Sequence, residues 1–158
     1  MAIEIKSLEQ LKSMRKAGLV VADTLKLIKE SAQVGMTTVE LDEMAATNLV
    51  KHGATSSFLG YHGFPAVICA SVNEEVVHGI PNKRKLISGD LLSIDFGAII
   101  DGWHGDAAIS IGLGEVEAAD QKLMDVCEES MWRGIAAGKN GAKLTDISEA
   151  IQRYIDSQ

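Results

Sequence analysis

The chain has 158 residues, 46% of them hydrophobic and 23% charged, which suffices for one buried core beneath a soluble surface. Its net charge of −7 speaks against nucleic acid or anionic membrane as the main partner, since both recruit basic surfaces. No apolar run approaches the roughly 20 residues that cross a bilayer, and no apolar stretch of a secretory signal follows Met1-Ala2-Ile3-Glu4-Ile5-Lys6. Lys83-Arg84-Lys85 is a local basic cluster that reads as a solvated turn. Cys69 and Cys127 form no CxxC pattern and read as small buried hydrophobes in a reducing compartment, so a disulfide is not expected.

The first predicted element is a helix. Ser7 and Gln10 have capping-box spacing, and Leu11, Met14, Leu19, Val20, Leu25 and Leu27-Ile28 recur at helical intervals up to about Ser31, with Gly35 as a stop. Thr37 and Glu40 form a second capping box, followed by an apolar face of Leu41, Met44, Ala45, Leu49 and Val50 and a stop at Gly53. His52, just before that stop, reads as a charge at a helix C-terminus.

Short apolar runs then replace the helical period. Val67–Val72 and Leu91–Ile100 read as strands, and a third strand is expected through Ala107 to Ile111. Residues 60–65 and 77–81, rich in Gly, Pro and His, read as loops. From Val116 the helical pattern returns through Leu123, Val126, Cys127, Met131 and Ile135. After Gly138 and Gly141, Thr145 and Asp146 are expected to cap a last helix. Helices, strands and helices in that order predict an α+β fold.

Asp101-Gly102 is a two-residue hairpin signal. A tight hairpin there places Asp95 opposite Ala108 and Asp106 opposite Gly97, so both aspartates emerge on one face as diagonal neighbours, with Cα atoms about 7–8 Å apart. A bulge at Gly105 would change that register. Two carboxylates close together among Ile, Phe and Ala need a positive partner. A divalent cation and a Lys or Arg side chain are the two answers, and the nearest cationic residues in sequence lie at 83–85. His62, His78 and His104 fall in the same stretch as the aspartates, and a neutral imidazole suits proton or hydrogen-bond donation to a reacting carbonyl or amine.

Tyr61-His62-Gly63-Phe64-Pro65, Ser71-Val72-Asn73-Glu74, Val77-His78-Gly79-Ile80-Pro81, Ile94-Asp95 and Asp101-Gly102-Trp103-His104-Gly105-Asp106 occur in this order. Together they resemble type I methionine aminopeptidases, over essentially the whole chain. The resemblance implies a pita-bread fold of two pseudo-symmetric α+β halves, with residues 1–115 as the first half and 116–158 as the beginning of the second. It implies a site of two divalent ions (Co, Mn, Fe or Zn), with Asp95 holding one and Asp106 bridging both. It implies His78 near the scissile bond, and Phe58, Tyr61, His62 and Phe64 around the methionine side chain. Release of N-terminal methionine from peptides and nascent proteins in the cytoplasm is the implied activity, without direct nucleic-acid or membrane partners.

The family's remaining ligands are a His in a GHGIG-like segment and two Glu in IEP-like and QxEH-like segments, and none is matched here. The expectation is therefore a chain that stops within the second half, with little or no activity alone and a tendency to self-associate or pair with the missing C-terminal segment. A proline-specific pita-bread peptidase is the second enzyme reading; the YHGFP and HGIP segments and the lack of a large N-terminal domain disfavour it. The others are a non-catalytic pita-bread module that binds peptides or proteins, and an ordinary α+β domain with a salt-bridged Asp pair.

Overall fold

The computed structural model describes residues 4–158, so the Met1-Ala2-Ile3 part of the N-terminal segment read above lies outside the described residues. Helix α1 spans Leu8–Ser31 and α2 spans Thr38–Lys51. Both start on the predicted capping boxes. Gln10 N–H donates to Ser7 Oγ at 3.3 Å while Ser7 N–H donates to Gln10 Oε1 at 2.7 Å. The Thr37–Glu40 pair repeats this at 3.3 and 2.6 Å. Each box satisfies backbone donors that a helix start otherwise leaves unpaired.

Four strands follow: β1 (Thr55–Ser56), β2 (Ile68–Val72), β3 (Leu91–Ile100) and β4 (Trp103–Gly112), with a short 3₁₀ turn at Tyr61–Gly63. All pairings are antiparallel. β4 takes the whole of one edge of β3, and β2 and β1 share the other, with β2 against residues 92–96 and β1 against 98–99. Asp101 and Gly102 have φ of 52° and 77°, the left-handed pair that a tight hairpin matched to strand twist requires.

Alternation along β3 separates core from site. Leu92, Ile94, Phe96 and Ala98 are fully buried and pack with Val21, Leu25 and Ile28 of α1 and Leu41, Ala45 and Leu49 of α2. Burying each larger side chain contributes about 1.5–3 kcal/mol. Ser93, Asp95 and Gly97 take the opposite face. The helical faces are narrower than the sequence pattern implied: Leu11, Leu19 and Val50 are 47%, 54% and 80% exposed. The helices are joined by a polar link instead. Asn48 Nδ2 donates to Asp23 Oδ2 and to buried Thr24 Oγ1, both at 3.0 Å, and His52 Nε2 lies 2.9 Å from Asp23 Oδ2. His52 does cap α2, and it does so while tying α2 to α1.

No bulge forms at Gly105, the candidate place for one. The register runs unbroken, with Gly105 opposite Ala98. A Cβ at 105 would stand 2.6 Å from Gly18 N and 2.7 Å from the Ala17 carbonyl carbon, so this glycine lets α1 lie directly on β4. The 83–85 cluster is also more than a solvated turn. Arg84 Nη2 reaches the buried carboxylate of Asp90 at 3.3 Å, and Asp90 also accepts from Asn73 Nδ2 and Ile87 N–H, both at 2.9 Å.

Residues 116–158 form a second compact unit. It is a helix hairpin of α3 (Ala118–Ala137) and α4 (Leu144–Asp156). α4 starts one residue before the predicted caps. Its N-cap is Lys143, whose N–H donates to Asp146 at 2.8 Å, so Asp146 acts from the first turn rather than as the cap. Arg133 of α3 stacks over the Tyr154 ring of α4 at 4.0 Å. Leu123, Trp132, Ile135 and Leu144 stay exposed, and so does Cys127, contrary to the expectation of a buried thiol.

Candidate metal and substrate site

The hairpin register is the predicted one: Asp95 faces Ala108 and Asp106 faces Gly97. Both carboxylates therefore stand on the sheet face away from the helices. β2 adds Cys69 directly opposite Asp95 on the other side. The Asp95 carboxyl is pushed up from the ordinary carboxylate range. Burial is the largest cause, followed by the negative charge of Asp106 and a hydrogen bond with it; the charge of His78 and the Phe96 N–H oppose the shift. The Cys69 thiol is pushed up to about 11, first by burial and then by the charges of Asp95 and Asp106. It is a neutral, buried thiol in this environment.

A cavity of about 780 Å³ opens over this face. Along its wall stand Asp95, Asp106, His78 and the aromatic group of Phe58, Tyr61, His62 and Phe64. Sequence reasoning singled out each of these, and tertiary structure brings them together from β1's exit, the 61–65 turn, the 77–81 loop and the hairpin. The Phe58 and Phe64 rings meet edge to face with centroids 6.5 Å apart, and Tyr61 and His62 do so at 4.4 Å. His62 has φ of 47°, a left-handed backbone uncommon outside glycine. Gly97 is what lets Phe58 approach. A Cβ there would stand 2.8 Å from Ser57 Cβ and 2.9 Å from the Phe58 ring, directly beside Asp106.

Ser57 and Cys69 also line the cavity and were not anticipated as site residues. Ser57 Oγ lies 3.0 Å from His104 Nδ1, which fixes the ring of the third histidine in the stretch. Neither residue carried a local signal; each reaches the site through strand pairing.

The donor chemistry bears on whether a cation suits this place. Among the described residues, no ion pair involves Asp95 or Asp106; Arg84 is committed to Asp90. The salt-bridged reading of the pair therefore finds no partner among the described residues. Two adjacent carboxylates, one of them raised first by burial and then by the other, suit a hard or borderline divalent ion. They are an incomplete set, because among the described residues no group of three or more His, Cys, Asp or Glu side chains converges as a metal cage.

Comparison with known proteins agrees with this chemistry. Methionine aminopeptidase 1 of Mycobacterium tuberculosis is 49% identical over 148 residues, covering 93% of this chain and 56% of that protein. Methionine aminopeptidase of Clostridium acetobutylicum is 44% identical, covering 98% and 62%. The crystal structure of methionine aminopeptidase from Rickettsia prowazekii superposes with a TM-score of 0.94 at 37% identity, covering 99% of this chain and 63% of that one. Prolidase from Pyrococcus furiosus, at 18% identity and a TM-score of 0.83, shares the fold, which is pita-bread α+β. The chain thus spans 56–62% of the length of these curated relatives. Residues 12–158 match the profile of metallopeptidase family M24. On that match, and with a pair of uncompensated carboxylates at the floor of its cavity, the chain belongs to metallopeptidase family M24 and is similar within it to methionine aminopeptidases.

Proposed function

We propose that this chain forms the first half and the beginning of the second half of a cytoplasmic methionine aminopeptidase, divided near residues 115 and 116. In this reading Asp95 and Asp106 contribute donors for two divalent ions (Co, Mn, Fe or Zn), and donors from outside residues 1–158 complete the set. When bound, such ions supply Lewis acidity and a water of lowered pKa. The chain's own residues bind and orient the substrate. Phe58, Tyr61 and Phe64 give the thioether of an N-terminal methionine apolar, polarizable walls, with His62 beside them. His78 holds or donates a proton at the scissile amide. The substrates are peptides and nascent proteins beginning with methionine.

The observation that carries this reading is the convergence of the aromatic group, His78 and the two aspartates on one cavity of about 780 Å³. Methionine aminopeptidases at 35–37% identity match the fold better than prolidase at 18% or aminopeptidase P at 22%, which favours methionine over a proline-specific substrate. The retained aspartate pair favours an enzyme over a binding module. Self-association, or pairing with the rest of a two-half enzyme, fits the exposed apolar residues of α3 and α4.

The test is hydrolysis of Met-Ala-Ser with Co or Mn, by the 158-residue chain alone and mixed with the C-terminal segment of a full-length methionine aminopeptidase. The expected result is little release alone and metal-dependent release from the mixture, abolished by Asp95→Ala and by Asp106→Ala. Release that survives either substitution would overturn the assignment of the pair.

A further inference from the structure

His78 sits in the 77–81 loop with φ of 60°, a left-handed backbone that a non-glycine residue holds only when its surroundings impose it. The imposing contacts lie one residue on. β2 is an edge strand, and its free side is closed by Gly79: Ala70 N–H donates to the Gly79 carbonyl at 2.8 Å. Gly79 N–H donates in return to Ser71 Oγ at 3.1 Å, and Ser71 is only 3% exposed. The approach is so close that a Cβ at 79 would stand 2.3 Å from the Ala70 carbonyl oxygen and 2.9 Å from Ser71 Cα. Ser71 in turn lies opposite Ser93 on β3, two residues along from Asp95, and two from Cys69, which faces Asp95.

From this arrangement we infer that Ser71 is a positioning residue for His78: its buried hydroxyl latches Gly79 onto β2 and so holds the His78 backbone left-handed, with the imidazole on the cavity beside the aspartate pair. The inference rests on the functional reading of His78 given above. A loop tied only by the Ala70–Gly79 bond could pivot about that single point. A second bond, from the next residue of the strand to the same glycine, removes the pivot. The direction of the imidazole then follows from the strand rather than from the loop.

The test uses nuclear magnetic resonance on the 158-residue chain, as wild type, Ser71→Ala and Ser71→Thr. The through-space (NOE) coupling between the amide and α protons of His78, strong where a positive φ brings the two together, reports its left-handed backbone. Exchange of the Gly79 amide reports the latch. Broadening of the His78 ring signals by added Mn²⁺, relative to those of the Cys69 and Asp95 backbones, reports where the imidazole points. Ser71→Ala is expected to speed Gly79 exchange about tenfold, the loss of one hydrogen bond. It should also abolish the left-handed coupling and reduce His78 broadening severalfold while Cys69 and Asp95 are broadened as before; Ser71→Thr restores all three. A folded Ser71→Ala chain with unchanged coupling and unchanged relative broadening overturns the proposal. Should that variant fail to fold, Gly79→Ala keeps the Ser71 hydroxyl and must displace His78 in the same way; an undisplaced His78 there refutes the latch equally. If Mn²⁺ broadens none of these signals in the wild type, the pair holds no ion without the donors from outside residues 1–158, and the coupling and exchange still decide the latch.

Discussion

Truncating Asp90 tests how the two ends of the connection between β2 and β3 are tied to each other. Its carboxylate is 2% exposed and accepts from Asn73 Nδ2, Ile87 N–H and Arg84 Nη2. In Asp90→Ala the Asn73 amide and the Ile87 N–H lose a charged acceptor, each such bond being worth about 1.5–3 kcal/mol. The Arg84 side chain is 38% exposed, so its guanidinium keeps its water and adds little to the loss. The expected cost is about 3–6 kcal/mol, a large share of a stability that for domains of this size is about 5–15 kcal/mol. Arg84→Ala, which leaves Asp90 two of its three donors, should cost only about 1 kcal/mol. Urea denaturation followed by circular dichroism measures both. Asp90→Ala within about 0.5 kcal/mol of wild type at unchanged m-value would refute the anchoring argument. Arg84→Ala as costly as Asp90→Ala would refute the claim that hydration protects the exposed partner.

Two further outcomes follow from groups away from that anchor. The Asp23 carboxyl is held below the ordinary range, first by the hydrogen bond from Asn48 and then by that from His52. Its contribution is thus present above the unfolded value of 3.8 and lost as pH falls through the lower folded value. The pH-dependent part of the penalty of Asp23→Ala should accordingly shrink below pH 3.8, and acid titration of thermal midpoints that leaves the penalty constant to pH 2 would contradict this. A maleimide should label exposed Cys127 rapidly at pH 7, while buried Cys69, with its thiol pushed up to about 11, should react orders of magnitude more slowly until the chain is unfolded. Equal labelling of both in the native chain, read by mass spectrometry, would refute the described environment of Cys69.

The elements that were legible in the sequence are those specified by neighbours along the chain. Ser7 with Gln10 and Thr37 with Glu40 started helices where their spacing said, because a capping box is complete within one turn. Asp101-Gly102 set the whole β3–β4 register, and with it the common face of Asp95 and Asp106, because a two-residue turn leaves one antiparallel alignment. What periodicity overstated was burial. Leu11, Leu19 and Val50 are apolar and helical yet exposed, since a helix buries only the stripe its partner covers.

The sequence by itself therefore determined the caps of α1 and α2, the hairpin, and the identity of the acidic pair and of the histidine and aromatic segments around it. Tertiary structure alone decided what surrounds that pair. Cys69 comes to Asp95 through β2–β3 pairing, and Ser57 comes to His104 across 47 residues. Gly105 admits α1 instead of forming a bulge, and Arg84 turns to Asp90 and leaves the aspartate pair without a cation among the described residues. The physical reason is range. A cap or a tight turn is satisfied by groups a few bonds away, whereas strand order, close backbone approach and the choice of ion partner depend on which distant segments share one core, and no local spacing encodes that.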